Sequence, residues 1–198
     1  MNIRSEDFGV NNVLQLAAQL GKYLDESKLP YCFIGGVAYQ RWGEPRQTVD
    51  VDVTLHVGFG NEETFVELLL SRYSARIENV LTFALRNRIV LLESAEGIGI
   101  DISLGGLDYE LLVTQRATDW LVPNHGSIRT CSAEDLVTLK SFASRPQDWI
   151  DVEKVIIRQG KRLNRNQIWR ELKPLVELKE ELDILTRLEQ LFSIHANS

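Results

Sequence analysis

The chain has 198 residues, with 22 Lys plus Arg against 28 Asp plus Glu, a formal charge of −6, 44% hydrophobic and 25% charged residues. These values exclude a disordered, collagenous or coiled-coil chain and fit a globular protein large enough to bury a sizeable core. No apolar run approaches the roughly 20 residues a bilayer span needs, and the N-terminal MNIRSEDFGVNN lacks a signal-type apolar stretch, so a cytoplasmic protein without membrane contact is expected.

Residues 11–28 place Val13, Leu14, Leu16, Ala17, Leu20 and Leu24 at helical spacing, with Asn11 or Asn12 as the expected N-cap. Pro30 ends that helix, Tyr31 to Ile34 read as a short buried strand, and Gly35-Gly36 open a short helix through Ala38 and Trp42. Val49 to Leu55 alternate with period two, the aliphatics facing one way and Asp50, Asp52 and Thr54 the other. An amphipathic helix is expected over 61–71 and a strand over 88–92. Ile98 to Leu104 repeat the alternation, leaving Gly99, Asp101 and Ser103 on the face opposite the aliphatics.

From Ser132 onward the pattern is helical. Ser132 with Asp135 three residues on marks a cap ahead of Leu136, Val137 and Leu139. A second helix is expected from Pro146 to Gln159, and residues 164–193 read as one or two more, with a break expected at Pro174. The predicted fold is α/β of the α+β kind, a small mixed sheet flanked by helices over residues 1–130 and a helical C-terminal part over 131–198.

Asp50 and Asp52 lie two residues apart on one strand, roughly 6.5–7 Å between Cα atoms, so both carboxylates project from one side and can share a divalent cation. Asp101, flanked on its face by small Gly99 and Ser103, completes the cluster if its strand is the neighbour. Three such carboxylates repel unless cations sit among them, and Mg²⁺ resolves the conflict. A glycine pair opening a helix lets backbone N–H groups approach phosphate oxygens without a Cβ in the way.

Other chemistries find little support. His56, His125 and His195 are isolated, with no zinc-ligand spacing, and there is no G-x-S-x-G, Walker or dinucleotide-binding pattern. Cys32 and Cys131, about a hundred residues apart, read as reduced packing residues.

Gly35-Gly36, then Arg46-Gln47-Thr48-Val49-Asp50-Val51-Asp52, then the strand bearing Asp101 resemble the DNA polymerase β-like nucleotidyltransferase superfamily. The closer resemblance is to the AbiEii-type toxin nucleotidyltransferases, through the R-x-T-x-D-x-D stretch and a downstream helix, here Glu134-Asp135-Leu136 to Lys140, followed by Arg145-Pro146-Gln147-Asp148 and Asp151. It covers residues 31–155. The resemblance implies a small mixed-sheet nucleotidyltransferase core, Mg²⁺ as cofactor and an NTP as co-substrate. Asp50 and Asp52 are then metal ligands, with Asp101 the third carboxylate, binding metal or taking the acceptor's proton. Gly35 and Gly36 cradle the triphosphate, Lys140 binds phosphate, Asp148 supports the site, and Arg46 and Thr48 steady the loop or touch phosphate. The superfamily's usual Gly-Ser is absent, since position 36 is glycine, so a serine contact to phosphate is lost.

Net acidity speaks against a polyanionic partner until its distribution is considered. Residues 1–110 hold 9 basic and 16 acidic side chains, whereas 111–198 hold 13 and 12. Residues 154–173 carry Lys154, Arg158, Lys161, Arg162, Arg165, Arg170 and Lys173 against Glu171 alone. That segment reads either as a solvated surface or as a patch guiding an RNA end, such as the tRNA 3′ end, to the acidic centre. Three readings follow: transfer to RNA or protein in a toxin–antitoxin setting with a cognate antitoxin, transfer to an aminoglycoside- or lincosamide-type antibiotic, and a non-catalytic nucleotide-binding regulatory protein.

Overall fold

The first helix, α1 (Ser5–Glu26), starts well before the expected cap at Asn11 or Asn12. Its buried stripe of Val13, Leu16, Ala17, Leu20 and Leu24 extends back to the partly buried Val10, so packing carries the helix through two residues that would otherwise favour a cap. This computed structural model describes residues 5–195.

After α1 come β1 (Tyr31–Phe33), α2 (Gly35–Trp42), β2 (Asp50–His56), α3 (Glu62–Leu70), β3 (Ser74–Ala75), α4 (Val80–Asn87), β4 (Ile89–Glu93) and β5 (Gly99–Gly105). Then follow α5 (Asp108–Arg116), β6 (Thr118–Val122), β7 (Gly126–Thr130), α6 (Ala133–Ala143), α7 (Pro146–Gln159), α8 (Arg165–Lys179) and α9 (Asp183–Ile194). The chain divides into a sheet unit, residues 5–37 and 47–131, and a helical unit, residues 38–46 and 132–195.

In the sheet unit the strands run in the order β3-β4-β5-β2-β1-β7-β6. The sheet is mixed: β2 is parallel to β5 and β1 to β7, while β1 with β2, β3 with β4, β4 with β5 and β6 with β7 are antiparallel. Its core gathers Val51, Val53 and Leu55 of β2 with Ile100, Ile102 and Leu104 of β5, all essentially inaccessible, against residues of α1, α3 and α4. That packing fixes the alternation, because a slip of one residue would turn the aspartates inward. Arg88, in the left-handed region at φ 53°, closes α4, so β4 starts one residue later than expected.

In the helical unit, Ser132 caps α6 as expected, its Oγ accepting from the Asp135 backbone N–H at 3.1 Å and donating to the Asp135 carboxylate at 2.7 Å. The expected break at Pro174 does not occur. Buried Leu172 and Val176 on either side of Pro174 hold α8 together, and the helix ends instead at Glu180, at φ 60°. Among the described residues no helix is long and apolar enough to cross a membrane. Cys32 and Cys131 are buried and form no disulfide.

Candidate active site

In the sheet unit, Asp52 stands opposite Asp101 in the parallel pairing of β2 with β5, and Asp50 stands opposite Gly99. The three carboxylates therefore share one face, the one turned away from the aliphatic core. All three residues are partly exposed. Paired strands lie about 4.8 Å apart, so Asp52 and Asp101 are close neighbours.

The glycine pair meets the same strand. Ile34 donates its backbone N–H to the Asp52 carbonyl at 3.0 Å, which brings the start of α2 alongside β2. Gly35 is in the left-handed region at φ 53°, and a Cβ on it would fall on the Asp52 carboxylate. A Cβ on Gly36 would fall on the Thr48 hydroxyl. Both glycines are thus required by close approach, and Asp52 is seated directly against the first turn of α2. The Thr48 hydroxyl lies 3.5 Å from the Asp50 carboxylate, at the limit of a hydrogen bond.

A first mutational expectation follows. Gly35→Ala puts a side chain into the left-handed region at a cost of about 1–2 kcal/mol and pushes the Asp52 carboxylate from its seat. The variant is expected to stay folded by circular dichroism, with its melting temperature lowered by only a few degrees.

Arg76, to which sequence reading gave no role, reaches this face. It follows β3, donates its backbone N–H to Leu91 at 3.0 Å, and pairs its Nη2 with the Asp101 carboxylate at 2.6 Å. Carboxylate oxygens are the hard donors that suit Mg²⁺, so the residue types fit that ion. Among the described residues, however, no group of three or more His, Cys, Asp or Glu side chains is arranged to hold a metal ion.

Arg46, Lys140 and Asp148 belong to the helical unit, where they form a network with Asp151. Lys140 is only 6% exposed, and its ammonium lies 3.0 Å from Asp148 and 2.7 Å from Asp151. Arg46 grips Asp151 with two parallel bonds, from Nε at 2.9 Å and Nη2 at 2.7 Å, and Gln147 adds a third at 2.9 Å. Asp148 sits in the first turn of α7 behind Pro146, where it accepts from the Arg145 backbone and guanidinium. Burial alone would raise both carboxyls. The hydrogen bonds from Arg145 to Asp148 and from Arg46 to Asp151, with the charge of Lys140 on both, outweigh it and hold them below the usual carboxylate range. Asp151 has no role in the sequence reading, although its place one helical turn after Asp148 is the signal that could have found it.

Several cations of the basic segment 154–173 are bonded within the protein. Lys154 pairs with Glu44 at 2.8 Å, Arg170 with Glu171 at 3.1 Å, and Arg165 stacks 4.6 Å from the Phe192 ring centre. Arg158 donates to the Gly43 carbonyl, and Arg162 to the Arg158 carbonyl at 2.9 Å.

No family model matches the sequence, and no curated protein matches it. Among solved structures, the antibiotic-resistance factor ANT(2″)-Ia is similar at 17% identity and a TM-score of 0.53, covering 88% of this chain and 96% of that one. An antigenic nucleotidyltransferase-like protein from Paracoccidioides brasiliensis gives 19% identity and a TM-score of 0.48 over 90% and 93% of the two chains. The lincosamide antibiotic adenylyltransferase LnuA, lincomycin-bound, gives 16% and 0.44 over 71% and 94%. At these identities the likeness is one of fold, and the chain is an α+β protein built on the nucleotidyltransferase fold.

Proposed function

We propose that the protein is a Mg²⁺-dependent nucleotidyltransferase that moves a nucleotidyl group from an NTP to an acceptor hydroxyl. The observation that carries this reading is the in-register pairing of Asp52 with Asp101, with Asp50 on the same face and the glycine-opened start of α2 against Asp52. Asp50 and Asp52 hold the metal, with Asp101 as the third carboxylate. Mg²⁺ bound there would offset the phosphate charge and stabilise the charge that develops on the transferring group. The acceptor oxygen bonds to the α-phosphorus as the bond to the β-phosphate bridge breaks. Pyrophosphate leaves, and the hydroxyl proton passes to Asp101. Gly35 and Gly36 offer backbone N–H groups to the phosphates, and Thr48 steadies Asp50. Lys140, for which the resemblance implies a phosphate role, is oriented within the helical unit by Asp148, and Arg46 steadies that network through Asp151.

For the acceptor, the AbiEii-type resemblance favours RNA, such as a tRNA 3′ end, or protein, with residues 154–173 guiding the substrate and a cognate antitoxin as partner. A small-molecule acceptor is the second reading. It draws on the fold likeness to the antibiotic-resistance factor over most of both chains and on the ion pairing of Lys154 and Arg170 with Glu44 and Glu171, which leaves less charge to track a phosphate backbone. The test incubates the protein with Mg²⁺, each α-³²P-labelled NTP, total tRNA, bacterial protein extract, aminoglycosides and lincosamides. Label in RNA or protein supports the first reading, and growth inhibition relieved by a neighbouring gene product would add the toxin role. Label in an antibiotic supports the second, and no label in any sample overturns nucleotidyl transfer in favour of a nucleotide-binding regulatory protein.

A further inference from the structure

Arg76 is tied to the sheet beside Asp101, since the residue that accepts its backbone N–H, Leu91, is the β4 partner of Asp101 in the register. From there the guanidinium crosses onto β5. Its Nη2 meets Asp101 at 2.6 Å, and its Nη1 lies where a Cβ on Gly99 would be. Gly99 in turn is the register partner of Asp50. Two independent features, an ion pair and a glycine that leaves the seat open, thus put one positive charge on the face that carries Asp50, Asp52 and Asp101.

We propose, on the basis of the metal-dependent reading above, that Arg76 is a displaceable counter-ion of the third carboxylate: it holds Asp101 until a divalent cation takes its place. The guanidinium yields Asp101 by moving aside. The contact is easily given up. It joins one nitrogen to one oxygen where a forked pair would make two bonds, and the two side chains are 37% and 26% exposed, so solvent screens it. A divalent ion at the same carboxylate carries twice the charge. Arg76 is therefore a positioning residue: it keeps Asp101 on the acidic face without metal and sets a threshold for metal entry.

The test reads metal binding without nucleotide or turnover. Mn²⁺ alone is titrated into the full chain and free Mn²⁺ is followed by electron paramagnetic resonance. Arg76→Gln is expected to bind roughly three- to tenfold more tightly than wild type. Gly99→Ala, which evicts the guanidinium, should act in the same direction, and in an Asp101→Asn background Arg76→Gln should gain nothing. Unchanged or weaker binding by Arg76→Gln, with Asp52→Asn still weakening Mn²⁺ binding in the wild-type background, overturns the proposal and leaves the nucleotidyltransferase reading standing. Mn²⁺ binding that is undetectable throughout, or indifferent to Asp52→Asn, overturns the metal-dependent reading and the counter-ion role together.

Discussion

Asp52→Asn is expected to reduce nucleotidyl transfer at least about a thousandfold while shifting the melting temperature by no more than about 3 °C. The substitution keeps the volume seated against Gly35 and removes the charge. Asparagine offers metal one neutral carbonyl oxygen in place of an anionic pair, so the loss falls on metal binding and on the transition state it supports. Stability changes little because Asp52 lies on the partly exposed face away from the aliphatic core and asparagine has the same shape, so the packing is kept. Label transfer from α-³²P NTP and a thermal melt on the same preparation check both halves. Full activity in the variant would remove Asp52 from the proposed site.

Asp151→Asn carries the largest expected effect on stability, about 3–5 kcal/mol, or a fall in melting temperature of roughly 10 °C. Asp151 is fully buried and takes bonds from Arg46, Lys140 and Gln147. Its neutral replacement leaves the Lys140 ammonium with Asp148 alone as buried counter-charge and breaks the two-point grip of Arg46. The pH dependence has a defined sign. Asp148 and Asp151 hold their protons less tightly in the folded chain than in the unfolded one, so their stabilisation is complete above about pH 4, the ordinary carboxylate value. It is lost as the pH falls through the lower folded values. The wild-type melting temperature should therefore stay level from neutrality to about pH 5 and drop below about pH 4. In Asp151→Asn that acid-side drop should be shallower, because one of the two shifted groups is gone.

The alternating strands were legible because a period-two pattern with one buried face admits a single orientation. Val51, Val53 and Leu55 turn inward, and Asp50 and Asp52 have to turn out. The adjacency of β2 and β5 was not legible. About 50 residues separate Asp52 from Asp101, and spacing along a chain carries no register. Gly35 and Gly36 could be read as a turn opening a helix, but not as the seats of Asp52 and Thr48. The 126–130 strand and its partner 118–122 were missed although Asn124 and Gly126 both take positive φ at the turn between them, a signal present in the sequence as Pro-Asn-His-Gly. Arg76 had no signal at all. An isolated arginine between short elements acquires meaning only when the backbone bond to Leu91 fixes where it points.

The parallel pairing of β2 with β5 also sets when the acidic face can exist during synthesis. Asp52 emerges with β2, but its neighbour strand is made only after α3, β3, α4 and β4, about 50 residues later. At about 5–20 residues per second that interval is several seconds, during which the aspartates of β2 face solvent with no third carboxylate beside them. Until β5 is made, pairing of β1 with β2 leaves the acidic face without its third carboxylate. On refolding, too, the return of activity should lag behind the local helices, because the site closes only with a long-range strand pairing.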